Sequence, residues 1–194
     1  MKTQMRVGYC LAAIAVAALC ADALADSPFN GPILMEYDGQ VINGTPTPSS
    51  SIQFGNLQGV AGVDPSQQFT FYTEAMTVKV VANGPLRIVD RTGTTTIYLA
   101  AASGDFSDPD SFRSGTPVQV SNLRQQVIVD TSTGAFTVVN VNKIKATAQF
   151  LSDGKETELG EIGQRFQTRL SGHLNAPGIS PTGWFAGYAV GEKD

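Results

Sequence analysis

Three aspartates within six residues form the densest group of potential metal ligands in the sequence. Asp105, Asp108 and Asp110 occur in the segment DFSDPD. Carboxylate and carbonyl oxygens on a flexible loop are the ligands that Ca²⁺ accepts. The spacing differs from that of an EF-hand loop, which needs a glycine and a distant glutamate. Asp and Ser beside Pro are also ordinary turn residues, so we interpret the segment first as a bend and second as a calcium site.

The sequence offers little material for nucleophilic or zinc chemistry. His173 is the only histidine, and the two cysteines, Cys10 and Cys20, lie near the N-terminus. A Ser-His-Asp triad built on His173 lacks the Gly-x-Ser-x-Gly elbow that presents a nucleophilic serine. One histidine is also too few for a His-rich zinc site. We therefore predict no catalytic residue and expect His173 to be structural.

Charged side chains outside the Asp-rich segment support two weaker hypotheses. A pair of carboxylates at the right separation cleaves glycosidic bonds, and the candidates are Glu36, Asp38, Asp90 and Glu158. Basic residues on neighbouring strands can bind an anion, and the candidates are Lys143, Lys145, Arg165 and Arg169. The sequence brings no two of the carboxylates together, and solvated outward positions are the commoner explanation for the basic residues.

Aromatic residues near the end of the chain suggest a ligand cavity. Alternation along a strand places Trp184 and Tyr188 on one face and Phe185 on the other. Either face can line a cavity, form a platform for a sugar or fill a core. We predict Phe166, Trp184 and Tyr188 as the ligand-binding residues, with core packing as the alternative.

The first 25 residues have the order of a cleavable export signal. Lys2 and Arg6 form a positive region, residues 11–19 are apolar but too short to span a bilayer, and the Ala-Leu-Ala run at 23–25 is a small-x-small cleavage site. The alternative, a lipid-anchored Cys20, fits less well because Leu19 is large. We predict a signal peptide at 1–25, a mature chain at 26–194, and a secreted or periplasmic location.

The composition of the mature chain excludes several classes of protein. Without residues 1–25 it contains no cysteine, so disulfides and thiol chemistry are excluded. Eleven basic and 16 acidic residues remain, a net charge of −5, which argues against nucleic acid as a partner. No later segment is long and apolar enough for a membrane helix.

Strand-like runs separated by turn residues indicate an all-β fold. Thr, Val, Gly, Ser and Gln are abundant, and helix-forming blocks are scarce. The segment 164–174 fits either a helix or a strand, and Gly172 favours the strand. We predict strands at 33–42, 51–60, 67–72, 75–82, 86–90, 94–100, 117–130, 135–142, 143–151, 164–174 and 183–190. Gly, Pro, Asn or Asp residues predict turns, mostly of hairpins, at 83–85, 91–93, 131–134 and 152–154.

About ten short strands without helical crossovers favour a single-domain antiparallel β-barrel, with a β-sandwich as the alternative, because closure removes strand edges. We expect an exported, non-enzymatic barrel that binds a small apolar or amphipathic ligand inside. The first alternative is a structural or surface-interaction module with a filled interior and partner-binding loops at 43–50 and 101–116. An extracellular hydrolase or other barrel enzyme ranks third.

Overall fold

The computed structural model describes residues 33–44 and 50–191, and these residues are mostly β-structure. The predicted signal peptide, residues 1–25, lies outside them. The strands are β1 Ile33–Asn43, β2 Ser50–Gln58, β3 Gln68–Asn83, β4 Leu86–Ala100, β5 Thr116–Asp130, β6 Ala135–Thr147, β7 Phe150–Ser152, β8 Lys155–Thr157, β9 Arg165–Leu174 and β10 Gly183–Gly191. A 3-10 helix, Pro109–Arg113, precedes β5.

Eight of the strands close into an antiparallel barrel. The order around the barrel is β1-β10-β9-β6-β5-β4-β3-β2, and β2 pairs with β1. Barrel strands that are consecutive in the chain pair with each other. Two further pairings, β9 with β6 and β10 with β1, join strands that are not consecutive and close the barrel. The short strands β7 and β8 form a separate hairpin in the connection between β6 and β9. The predicted antiparallel β-barrel is therefore confirmed, and every long strand has two partners.

Three of the strands are continuous where the sequence predicted two separate strands. β3, β4 and β6 each continue through a point where the sequence suggested a break. The predicted turn at Arg91-Thr92-Gly93 is wrong, because β4 runs through all three residues. A Cβ atom at Gly93 would overlap the backbone carbonyl of Glu74. This glycine serves the close approach of two strands rather than a turn.

The ambiguous segment 164–174 forms strand β9, as Gly172 suggested. Its burial alternates, with Phe166, Thr168 and Leu170 facing inward. A Cβ atom at Gly172 would overlap the Trp184 carbonyl oxygen and the ring of Phe136. A helix in this place would leave the edges of β6 and β10 without their partner.

Aromatic side chains fill the middle of the barrel. Tyr37 and Phe71 make an edge-to-face contact with ring centroids 5.0 Å apart, and Phe71 lies 6.2 Å from Phe185. The Tyr37 hydroxyl donates to the sulfur of Met35 at 3.2 Å. Burial raises the pKa of Tyr37 well above its ordinary value. This layer belongs to the packed core.

A buried guanidinium organises the interior towards the end of the barrel where β1 terminates. The Arg91 side chain is 6% exposed, and it donates to Asn43 Oδ1 at 3.0 Å and to Gln125 Oε1 at 3.2 Å. The Gln125 amide donates onward to Gln53 Oε1 and Asn140 Oδ1. Desolvation lowers the pKa of Arg91 to about 10, so the group stays charged at neutral pH. This part of the barrel is filled with polar side chains that are hydrogen-bonded to one another.

Candidate functional site

A pocket of about 120 Å³ opens at the other end of the barrel, where β1 begins. We call it the mouth pocket. Gln119, Gln164 and Glu158 supply polar atoms to it. The apolar part of its lining consists of Leu34, Met35, Val60, Ala61, Ile144, Leu159 and Phe166. In another protein an engineered apolar cavity of about 150 Å³ binds benzene. The mouth pocket is therefore suited to one ring or a short alkyl chain.

Residues 158–164, the capping segment, cover the mouth pocket. Leu159 is 6% exposed, and its carbonyl accepts a hydrogen bond from the Gln119 side chain at 2.6 Å. The backbone of Ile144 donates to Gln164 and accepts from Gly163, both at 2.9 Å. These bonds tie the capping segment to β5 and β6. They make the segment part of the folded structure and not a loose connection.

Among the buried side-chain oxygens that have no hydrogen-bond partner in the described part of the chain, two lie inside the barrel on β6 and β9. They are Asn142 Oδ1 and Thr168 Oγ1, on side chains that are 2% and 1% exposed. Asn142 lies directly opposite Phe166 across the pairing of β6 with β9. A buried polar atom without a partner costs about 1–3 kcal/mol. A hydrogen-bond donor placed beside Phe166 would remove part of this cost.

The three residues predicted to bind a ligand do not face one space. Phe166 points into the barrel and lines the mouth pocket. Trp184 is 47% exposed, and Tyr188 shares its outer face of β10. Phe185 and Ala189 take the inward positions of that strand. The binding of a ligand by any of the three residues stays a prediction.

The outer surface carries a second candidate region, the outer aromatic cluster. Its members are Phe54, Tyr72, Phe106, Phe112 and Trp184. Residues 101–115 fold over β2 and β3, so that Phe112 lies 5.1 Å from Phe54 and 5.0 Å from Phe106. The Trp184 ring contacts Phe106 in a tilted arrangement, with ring centroids 5.7 Å apart. The cluster buries most of its rings but leaves the tryptophan partly open to solvent.

A groove of about 310 Å³ runs along the outer face of β10, β1 and β2. We call it the outer groove, and it is lined by Glu36, Tyr37, Asp38, Gln58, Ala186, Gly187 and Tyr188. Asp38 Oδ1 is buried and lacks a partner among the described residues. Desolvation raises the pKa of Asp38, and hydrogen bonds that include one from Asn56 partly oppose this effect. The groove thus combines two carboxylates with an aromatic ring.

The three aspartates of the predicted calcium site make separate local contacts. Asp105 accepts from the Ser107 backbone and hydroxyl, which lowers its pKa. Asp108 caps the 3-10 helix through the Asp110 N–H, and Asp110 pairs with Arg113 at 2.8 Å. Among the residues described, no three His, Cys, Asp or Glu side chains are grouped so that they could hold a metal ion. Calcium binding by this loop stays a prediction.

The structure also places the other charged candidates. His173 is exposed, and its Nε2 lies 2.7 Å from the Thr133 carbonyl oxygen. Lys143 lies opposite Arg165 on neighbouring strands, and both are exposed. Of the four carboxylates, only Glu36 and Asp38 share a groove, whereas Asp90 lies near Gln126 and Glu158 near Thr147.

Sequence reasoning missed most of the mouth pocket. Leu34, Val60 and Leu159 come from three connections or strand ends far apart in the chain, and only barrel closure brings them together. The outer aromatic cluster could have been predicted from Phe106 and Phe112, because two phenylalanines in a loop rich in Gly, Ser and Asp indicate that the loop packs against the barrel.

The described part of the chain contains no helix with the length and apolar character needed to cross a membrane. Comparisons with protein-family models, with curated proteins and with solved structures found no match to this chain.

Proposed function

We propose that this chain is a binding protein whose mouth pocket receives a small amphipathic molecule, or the apolar end of a larger one. The observation that carries the proposal is an apolar pocket at one end of a barrel whose remaining interior is filled by aromatic and amide side chains. Ligand sites in proteins typically combine an apolar lining with a few placed polar groups. The mouth pocket has this composition on a small scale.

The polar groups favour an amphipathic ligand over a purely apolar one. Asn142 Oδ1 belongs to the residue directly opposite Phe166, and it has no hydrogen-bond donor among the described residues. At the rim, Glu158 and Gln164 present further polar atoms. A ligand with a ring or alkyl part in the pocket and a hydroxyl or amide group would match this pattern. The proposed role needs no catalytic residue, and export by residues 1–25 is part of the proposal.

Native mass spectrometry of the chain isolated from the cells that make it tests the proposal. The wild-type spectrum should contain a small-molecule adduct. Val60→Phe should remove the adduct, because the added ring occupies the mouth pocket. Val141→Phe is the matched control, since Val141 is 43% exposed on the outer face and its variant should retain the adduct. A bare mass for the wild-type chain, or an adduct that survives Val60→Phe, would contradict the proposal.

A surface-interaction module is the second candidate, and one observation favours it. Trp184 keeps 47% of its surface exposed although Phe106 holds its ring in place. Partly exposed tryptophans are frequent where proteins bind partners. If Val60→Phe has no effect on any bound species and Trp184→Ala abolishes binding, this second function replaces the first.

A further inference from the structure

The outer face carries acidic and aromatic side chains on two adjoining strands. Asp38 of β1 lies opposite Ala186 of β10, and Glu36 lies opposite Tyr188. Trp184 is the next residue on this face of β10. Side chains directly opposite on antiparallel strands have Cβ atoms about 5 Å apart, and aromatic side chains reach diagonal neighbours. The small Ala186 thus forms the floor between two aromatic rings, with carboxylates along one side.

Asp38 brings to the outer groove a carboxylate whose hydrogen bonds the described residues satisfy only in part. Its Oδ1 is buried without a partner in the outer groove. Asn56 is oriented beside it, because the Gly104 N–H donates to Asn56 Oδ1 at 3.2 Å. Arg169 lies beyond Tyr188 on β9. The described residues contain no ion pair between Arg169 and a carboxylate. Among the described residues, Asp38 therefore has no cation within salt-bridge distance.

Trp184 is held as a rigid platform. Its ring contacts Phe106 at 5.7 Å, and Phe106 is packed in turn on Phe112 and Phe54. Because these rings fix its orientation, Trp184 loses little side-chain freedom when a ligand covers it. Nearly half of the side chain is available for that contact, since it is 47% exposed.

From these contacts we infer a second site, in which the outer groove binds an organic cation that carries an apolar or aromatic group. The ammonium or guanidinium N–H groups donate to Asp38 and Glu36, and the attached group lies on Trp184. Carboxylates satisfy such donors with charge-assisted hydrogen bonds, and an apolar or aromatic group packs favourably on an indole ring. The site is independent of the mouth pocket, whose lining shares no residue with the outer groove.

Intrinsic fluorescence reads this site directly, because Trp184 is the only tryptophan in the chain. Titration with 2-phenylethylammonium chloride should change the emission of Trp184 in a saturable way. The neutral analogue 2-phenylethanol should bind about tenfold more weakly or worse, since it lacks the charge. Equal affinity for the two probes would overturn the inference, as would a response only to a neutral sugar such as methyl β-glucoside.

Two variants separate the role of the carboxylate from general effects. Asp38→Asn should weaken binding of 2-phenylethylammonium by about tenfold or more. Asp90→Asn, on the outer face of β4, should stay within about twofold of wild type. Thermal melts should show that Asp38→Asn is no less stable than wild type, because it removes a partly desolvated charge. Unchanged affinity in Asp38→Asn would refute the assignment.

Val60→Phe distinguishes this inference from the proposed function. It should block the mouth pocket and leave the Trp184 titration as in wild type. If the titration fails while the adduct in the native mass spectrum depends on Val60, the second site is wrong and the proposed function stands. If the titration succeeds while the native mass spectrum shows no adduct that depends on Val60, the proposed function is wrong and the second site stands.

Discussion

Replacing Leu159 with alanine tests whether the capping segment is a packed part of the barrel. The side chain is 6% exposed and lines the mouth pocket. The change removes three buried carbon atoms, which at about 0.8 kcal/mol each amounts to roughly 2.4 kcal/mol of transfer free energy. The hydrogen bond from Gln119 to the Leu159 carbonyl is retained, because it involves the backbone. We therefore expect Leu159→Ala to lower the free energy of unfolding by about 2–3 kcal/mol.

Urea unfolding followed by circular dichroism measures this change, with an expected fall of about 5–10 °C in Tm as a second readout. Ile162→Ala is the matched control, because Ile162 lies in the same segment but is 70% exposed. This control should change stability by no more than about 0.5 kcal/mol. A loss below about 1 kcal/mol in Leu159→Ala, or equal losses in the two variants, would refute the packing described for the capping segment.

Three further predictions concern the interior. Gln119→Met removes the donor to the Leu159 carbonyl, so it should cost about 1–3 kcal/mol and speed hydrogen exchange in residues 158–164; unchanged exchange there would show that this bond does not hold the segment. Gly172→Ala should cost at least about 2 kcal/mol, because a Cβ atom overlaps the Trp184 carbonyl and the Phe136 ring, whereas Ser171→Ala at the neighbouring exposed position should be nearly neutral in the same urea melts. Burial raises the pKa of Tyr37 above its ordinary value of 10.0, so its protonated hydroxyl stabilises the fold below that pH and the contribution is lost as the pH rises. Tyr37→Phe should therefore flatten the decline in stability between about pH 9 and about pH 11, and parallel pH profiles for the two proteins would contradict the assignment.

The strands were largely predictable because their signals are local. Turn residues ended β3 and β5 where the sequence placed hairpins, at residues 84–85 and 131–134. The failure at Arg91-Thr92-Gly93 has a long-range cause. Gly93 accommodates the backbone of β3, and Arg91 is buried by partners from β1 and β5. A sequence window cannot distinguish such a glycine from one in a turn.

The two faces of β10 show why the candidate site was less predictable. Alternation correctly placed Trp184 and Tyr188 on the same face, but it did not indicate whether that face lines the interior. The structure turns them outward because Gly183, Phe185 and Ala189 are buried in the barrel. Strand closure decides between these arrangements, and it depends on pairing between β10 and β1 at opposite ends of the domain.

Methyl NMR spectroscopy during a titration with phenol tests the central claim most directly, because phenol has the ring size and the hydrogen-bond donor that the mouth pocket requires. We predict saturable shifts confined to methyl groups around the pocket, those of Leu34, Val60, Ile144 and Leu159. The same shifts should be absent in Val60→Phe. Shifts that do not saturate, or that appear at exposed methyl groups such as those of Val141 instead, would contradict a ligand site in the mouth of this barrel.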